Sequence, residues 1–387
     1  MQLIYLAIED PKVNSGVTGK IKDQVRCLRE AGHYVKLMFV VYDYSLNEPF
    51  YLEVNEEYWV LYVKTYRFTF IAKIINRHRL FSALSSIIRK QTFEYLYVRY
   101  PHYLDYPFYR FSRIFRKKII LESQTKEKDE LLLSRNYLKA LFEQIFKKRI
   151  FRNLYACIGV TDEITNYQER FDNTGSVLFK TIGNGIDVSA RPVAKLSPYP
   201  DKTVNLLYVG NVFPHHGLDR LIRGAAAYNG SYNIAITLIG NGSHLNHLKK
   251  LVRDFHIEEL VDFVEPKYGE ELDSYFDRAH LGIGALGIHR KGLTEASVLK
   301  LRDYAARGLP FIMSGKDPDM DNAPGIQHYL YRVTLDETPL NINHIVEHTQ
   351  KMYAKHPDSM RSDLKKFAEE KLDMSIKMKE LTAFLEG

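Results

Sequence analysis

The stretch LIYLAIEDPKVNSGVTGKIKDQVRCLREAGHYVKLMFVV, residues 3–41, decides how the rest of the chain reads. Its opening run, 3–8, is apolar and short, the pattern of a buried strand. Ile21, Val25 and Leu28 then recur on one helical face, Gly32 closes that helix, and the β-branched run 35–41 forms the next strand. Strand, helix and strand make a βαβ unit, with Gly16 and Gly19 in the loop before the helix. The same alternation continues downstream. Strands are expected at 60–63, 95–98, 118–121 and 155–159, with helical periodicity near 81–90, 106–116, 129–151 and 162–171. This predicts an α/β fold with a parallel, doubly wound sheet.

The periodicity lapses over 189–203, where Pro192, Pro198 and Pro200 mark a linker. Beyond it, apolar runs at 206–209, 234–239, 261–264, 281–285 and 310–313 alternate with helical segments at 218–228, 244–255 and 270–278. The expected organisation is a first Rossmann-like domain at 1–188, the linker at 189–203 and a second at 204–371. A terminal helix, about 372–387, packs back on the first domain. Two such sheets place the ligand at the carboxyl ends of the strands, in a cleft between the domains. A chain of 387 residues and 45.1 kDa suits two cores better than one. Cys27 and Cys157 stand too far apart in sequence to suggest a disulfide framework or a zinc quartet. The run 3–8 lacks a basic flank and meets Glu9 and Asp10 too early for a signal peptide or membrane span, which points to the cytoplasm.

Residues 64–152 hold 21 Lys and Arg against 7 Asp and Glu, a local balance of +14 in a chain of net charge +7. Cations alternate there with apolar residues, as in Tyr66, Arg67, Phe68, Lys73, Arg77 and Arg79, and again in Phe108, Arg110, Phe111, Arg113, Phe115, Arg116, Lys117 and Lys118. Two readings fit: a solvated helix face over an ordinary core, or peripheral attachment to an anionic membrane surface. No nucleic-acid-binding pattern accompanies the charge.

The residues that carry chemistry lie in GIHRKGLTEASVLKLRDYAARGLP, 287–310. Thr294 or Ser297 is expected to cap a helix bearing Val298, Leu301, Tyr304 and Ala305 on one face, ended by Gly308 and Pro310. Its amino end, with Arg290, Lys291 and Lys300 close in sequence, suits a diphosphate. Glu295 precedes this helix and Asp303 lies within it, so two carboxylates are available to ligand hydroxyls.

In these residues the chain resembles the GT-B glycosyltransferases, specifically the retaining, nucleotide-sugar-dependent family 4. Glu295 and Asp303 occupy the two positions of the E-x7-E signature, with Asp where the family usually has Glu. Lys300, Leu301, Gly308 and Pro310 fit the pattern around the second acid. The run Asn184, Gly185, Ile186 and Asp187 resembles the family's NGID-type element, Gly210, Gly217 and Asp219 its first donor-domain strand and helix, and Gly240, Asn241 and Gly242 its G-x-G turn. The resemblance implies Glu295 on the transferred sugar and Asp303 on the ribose, with Ser297 and Gly240 also on the donor side. It implies backbone approach at Gly16 and Gly19, and an acceptor-side histidine, His102, flanked by Arg99 and Glu122. Asn211 and His216 stand where relatives carry Arg and Lys on the diphosphate, which shifts that duty to Arg290, Lys291 and Lys300 or leaves the protein a non-catalytic scaffold. A nucleotide sugar, UDP- or GDP-linked, is the implied co-substrate, with no other cofactor. The implied acceptor is a saccharide, lipid-linked, used in building bacterial surface polysaccharide at the inner face of the cell membrane.

SGVTGK at 15–20 has too few residues between its glycines for a phosphate loop, and no dinucleotide fingerprint follows the first strand. Asp317, Pro318 and Asp319 read as a solvated turn. The pairs His215–His216 and His244–His247 lack further ligands at metal spacing.

Overall fold

The computed structural model describes residues 1–13, 15–66, 70–195 and 202–386. Arg67, Phe68, Pro198 and Pro200 lie outside them. The chain divides into two units, one of Met1–Ile182 with Met378–Gly387 and the other of Gly183–Lys377, so the first ends at Ile182 rather than at 188.

The first unit is an eight-stranded sheet of β1 (Gln2–Ala7), β2 (Tyr34–Asp43), β3 (Phe50–Val54), β4 (Trp59–Lys64), β5 (Tyr95–Arg99), β6 (Ile119–Ser123), β7 (Leu154–Gly159) and β8 (Leu178–Thr181). Their order is β3-β4-β2-β1-β5-β6-β7-β8. All neighbours are parallel except the edge pair β3–β4. Strand order reverses between β1 and β5, so their carboxyl ends flank the crevice where open α/β sheets bind ligands. The short strands β3 and β8 escape the sequence pattern because an exposed edge has no buried face to impose alternation.

Local capping explains two further differences. Ser15 accepts the Thr18 amide at 3.1 Å and starts the first helix at Gly16, so Gly16 and Gly19 belong to its first turn and not to a loop before it. The expected helix over 129–151 is two helices, Glu127–Leu133 and Tyr137–Phe151, because Arg135 turns into the left-handed region at φ 58°. Within the cationic stretch, Phe108, Phe111 and Phe115 are core residues while Arg110, Arg113 and Arg116 face outward, and Arg77 is buried against Asp105 at 2.8 Å. The alternation at 106–118 therefore records a helix with a buried apolar face and an exposed cationic one.

The second unit is a wholly parallel sheet of β9 (Thr203–Val209), β10 (Asn233–Ile239), β11 (Val261–Val264), β12 (Leu281–Ile283), β13 (Phe311–Ser314) and β14 (Leu330–Val333), ordered β11-β10-β9-β12-β13-β14. Its switch point lies between β9 and β12. Leu206, Tyr208, Ile236, Leu238, Leu281, Tyr304 and Ile312 are buried in one continuous core.

Candidate functional site

At the carboxyl ends of β9 and β10 the backbone comes too close for side chains. A Cβ on Gly240, whose φ is 143°, would lie 2.0 Å from the Gly210 carbonyl oxygen, and one on Gly242 would lie 2.2 Å from that of Val212. Only glycine satisfies both positions. Gly210 itself, at φ 129°, faces Lys300, whose Cε and Nζ lie 3.6 Å from where its Cβ would be. The Lys300 ammonium sits 3.7 Å from the centroid of the Tyr208 ring, buried and with no hydrogen-bond partner. Burial alone pushes its pKa well below the ordinary lysine value. The Tyr208 hydroxyl meets His216 Nδ1 at 2.7 Å and donates to the exposed Asn211 carbonyl. Burial lowers the His216 pKa strongly and the nearby Lys300 adds to it, so this imidazole is neutral at pH 7.

Arg290 was expected on a phosphate, but the fold gives its donors elsewhere. Its Nη1 and Nη2 reach Asp219 at 2.8 and 2.9 Å, Nη1 also reaches the Pro214 carbonyl at 2.6 Å, and Nε and Nη2 bind Glu337, the former at 2.9 Å. All five guanidinium hydrogens are thereby engaged. The pairing with Arg290 holds the Glu337 pKa at about 2. Lys291 closes a 3-10 turn, Ile288–Lys291, and is half-buried.

The helix that carries Lys300 begins at Leu299, with Val298 at its cap position and no side-chain cap, so neither Thr294 nor Ser297 has the expected capping role. Ser297 Oγ instead accepts the Asn184 amide at 2.7 Å. Glu295 lies on an extended segment bridged to Lys316, where Ala296 donates to the Lys316 carbonyl and Lys316 to that of Thr294, both at 2.9 Å. The backbone of this half-buried acid is thus fixed. Asp303 accepts from Arg191 at 2.7 Å and from Arg307 at 3.3 Å, so its carboxylate already holds two guanidinium groups. Asp317 and Asp319 are no solvated turn. Asp317 is fully buried against Arg302, which also reaches Asp319 at 2.8 Å, and Lys377 binds Asp319 at 2.7 Å.

In the first unit, Glu122 is buried and spent. It accepts from Lys20 at 2.6 Å, Tyr5 at 3.2 Å and Gln24 at 3.4 Å, and Arg99 lies 3.7 Å away. Burial raises its pKa, but Lys20 and Arg99 outweigh that and lower it overall. A structural pair replaces the expected acceptor contact. Glu122→Ala should lower stability by about 3–5 kcal/mol, since it removes one side of a buried ion pair with Lys20; thermal melts beside acceptor kinetics check this. His102 follows β5 on an exposed loop at φ 62°, where desolvation of its ring, with Arg77, Lys139 and Arg99 nearby, lowers its pKa. Tyr208, Lys20 and Arg302 were not singled out from sequence. Tyr208 lies inside an apolar strand run and only its spatial neighbours mark it.

The chain can now be set beside known proteins. The family described as Glycosyl transferases group 1 matches residues 195–314. No curated protein matches the chain in sequence. Among solved structures it is similar to sucrose-phosphate synthase from Thermosynechococcus elongatus, with a TM-score of 0.71 and 14% identity over 99% of this chain and 98% of that one. It is also similar to the lipopolysaccharide outer core galactosyltransferase WaaB, at 0.64 and 14% over 100% and 99%. A third is Anabaena HepE solved with UDP-glucose, at 0.64 and 12% over 100% and 99%. The chain therefore has the GT-B fold, and its second unit carries the region that matches the glycosyl transferases group 1 family.

Proposed function

We propose that the protein is a retaining, family 4 type glycosyltransferase that moves a sugar from a UDP- or GDP-sugar to a saccharide acceptor. The acceptor is lipid-linked, and the reaction serves bacterial surface polysaccharide synthesis at the inner face of the cell membrane. One observation carries the donor half: a buried ammonium without a hydrogen-bond partner, Lys300, at the carboxyl end of β9 beside Gly210. A donor diphosphate supplies the missing partner, and as it leaves the sugar its growing charge is what Lys300 stabilises. HepE, a similar fold, was solved with UDP-glucose, which supports a nucleotide-sugar donor. Glu295 is assigned to the sugar, His102 to the acceptor side, and Asn211, His216, Gly240, Lys291 and Ser297 to the surroundings of the donor.

Asp303 takes the ribose only if it shares its carboxylate with Arg191 or Arg307. That commitment, with the full engagement of Arg290, favours the second reading, a non-catalytic, membrane-associated scaffold or regulatory partner. Nucleotide release from UDP- and GDP-sugars, with and without membrane extract, separates the two: no release under either condition leaves the scaffold. In the enzyme, Glu295→Ala is expected to cut turnover roughly 100-fold while leaving nucleoside diphosphate affinity within about twofold. A matching fall in both would move Glu295 from the sugar to the nucleotide.

A further inference from the structure

The helix Tyr137–Phe151 is built inside out. Its buried face carries Ala140, Ile150 and Phe151 but also Glu143 and Lys147, which pair at 3.3 Å. Lys147 also meets Glu127 at 3.3 Å, and Glu143 accepts from the Tyr100 hydroxyl and the Leu104 amide. The face turned outward carries Tyr137, Leu138, Leu141 and Ile145 instead. Leu132 and Leu133, at the end of the preceding helix, continue this ridge, so every residue from 132 to 138 is exposed. Leu133, Tyr137 and Leu138 are 56%, 64% and 56% exposed. An apolar ridge of this size on the outward side is a mark of an interaction surface.

The turn at its tip closes its own hydrogen bonds. Ser134 donates to the Glu130 carbonyl at 2.9 Å, Arg135 to Leu132 at 3.0 Å and Asn136 to Leu131 at 2.8 Å, while Asn136 Nδ2 reaches Ser134 Oγ at 2.9 Å. The amides of Ser134, Arg135 and Asn136 are thereby satisfied within the turn, whereas the helix that starts at Tyr137 has no side-chain cap on its first amides. Around the ridge stand Lys128, Arg135, Lys139, Lys148, Arg149 and Arg152; of the acids, Glu127 and Glu143 are turned inward while Asp129 and Glu130 are half-buried, which leaves cations in excess.

We infer that the ridge Leu132, Leu133, Tyr137, Leu138, Leu141 and Ile145 is a membrane-inserting element, seated in the interfacial layer of an anionic bilayer whose lipid headgroups pair with the surrounding cations. The inference rests on the membrane-associated reading above. Charge complementarity selects the occupant: an apolar ridge framed by cations matches acyl chains below anionic headgroups. It also relocates the contact. Arg113, Arg116, Lys117 and Lys118 precede β6 at its amino end, whereas the ridge follows its carboxyl end.

The test uses the full chain and vesicles of phosphatidylcholine, alone or mixed with phosphatidylglycerol. Binding to the mixed vesicles is expected to fall with added salt, and Leu133→Glu with Leu138→Glu to weaken it at least about tenfold. Unchanged nucleoside diphosphate affinity shows that this variant is folded. In a Trp59→Phe background, Leu138→Trp fluorescence should be quenched by brominated acyl chains on the anionic vesicles. If the two glutamates leave binding intact while charge reversal of Arg113, Arg116, Lys117 and Lys118 abolishes it, attachment stands and the ridge is not its element. Absence of wild-type binding to anionic vesicles overturns both. A dimer in sedimentation that Leu138→Glu dissolves shows that a second copy covers the ridge, and overturns the inference.

Discussion

Lys300→Met is expected to weaken nucleoside diphosphate binding roughly 10- to 100-fold, the loss of one charge-assisted contact, while stabilising the nucleotide-free chain by about 1–2 kcal/mol. Both effects have one cause. The fold holds an ammonium over the Tyr208 ring without a hydrogen-bond acceptor, and burial depresses its pKa. A depressed folded pKa means that the unfolded chain binds the proton more tightly, so stability is lost as pH falls from the ordinary lysine range to the folded value. Methionine fills similar space without that penalty. A diphosphate reverses the balance by supplying the acceptor, and affinity should fall as pH rises through the depressed pKa. Calorimetric titration with UDP and GDP over a pH series, beside thermal melts, checks both halves. Wild-type affinity in the Met variant would remove Lys300 from the donor site and raise the odds of a degenerate one.

Arg302→Leu is expected to destabilise the second unit by about 3–5 kcal/mol, the effect of stranding a buried charge. Arg302 donates to the Asn184 carbonyl at 2.9 Å, to Asp317 through both terminal nitrogens, to Asp319 at 2.8 Å and to the Val298 carbonyl at 3.3 Å. Without it, Asp317 is a fully buried carboxylate with no cation beside it. Burial already raises the Asp317 pKa, and losing Arg302 raises it further. A group whose folded pKa is raised contributes stability below its unfolded value and loses it as pH rises through the folded one. The variant should therefore melt highest in mild acid and progressively lower toward neutral pH. Asp317→Asn in the same background should remove that slope; if the slope persists, it arises elsewhere. Arg302→Lys keeps the charge but loses the planar fork, and should fall between the two.

Much of the architecture was legible because apolar periodicity is local. The alternation in 3–41 and its repeats located eleven of the fourteen strands among the described residues, two Rossmann-like sheets and the region that holds Glu295, Lys300 and Asp303. The missing β3, β8 and β14 are short strands with half-exposed residues, and so lack a strong pattern. Side-chain partnership was not legible. Arg290 and Lys300 look alike as cations near a helix, yet one has every donor occupied by two acids and a carbonyl from distant segments and the other has none. Asp317-x-Asp319 looks like a polar turn until Arg302 is placed beside it. The helix Tyr137–Phe151 has apolar residues on both faces, so its sequence alone does not say which face is covered. The sequence by itself determined where strands and helices form, because their periods depend on neighbouring residues. Only the tertiary structure decided which charges are spent and which apolar ridge is left outside, because burial and pairing depend on residues far apart in the chain.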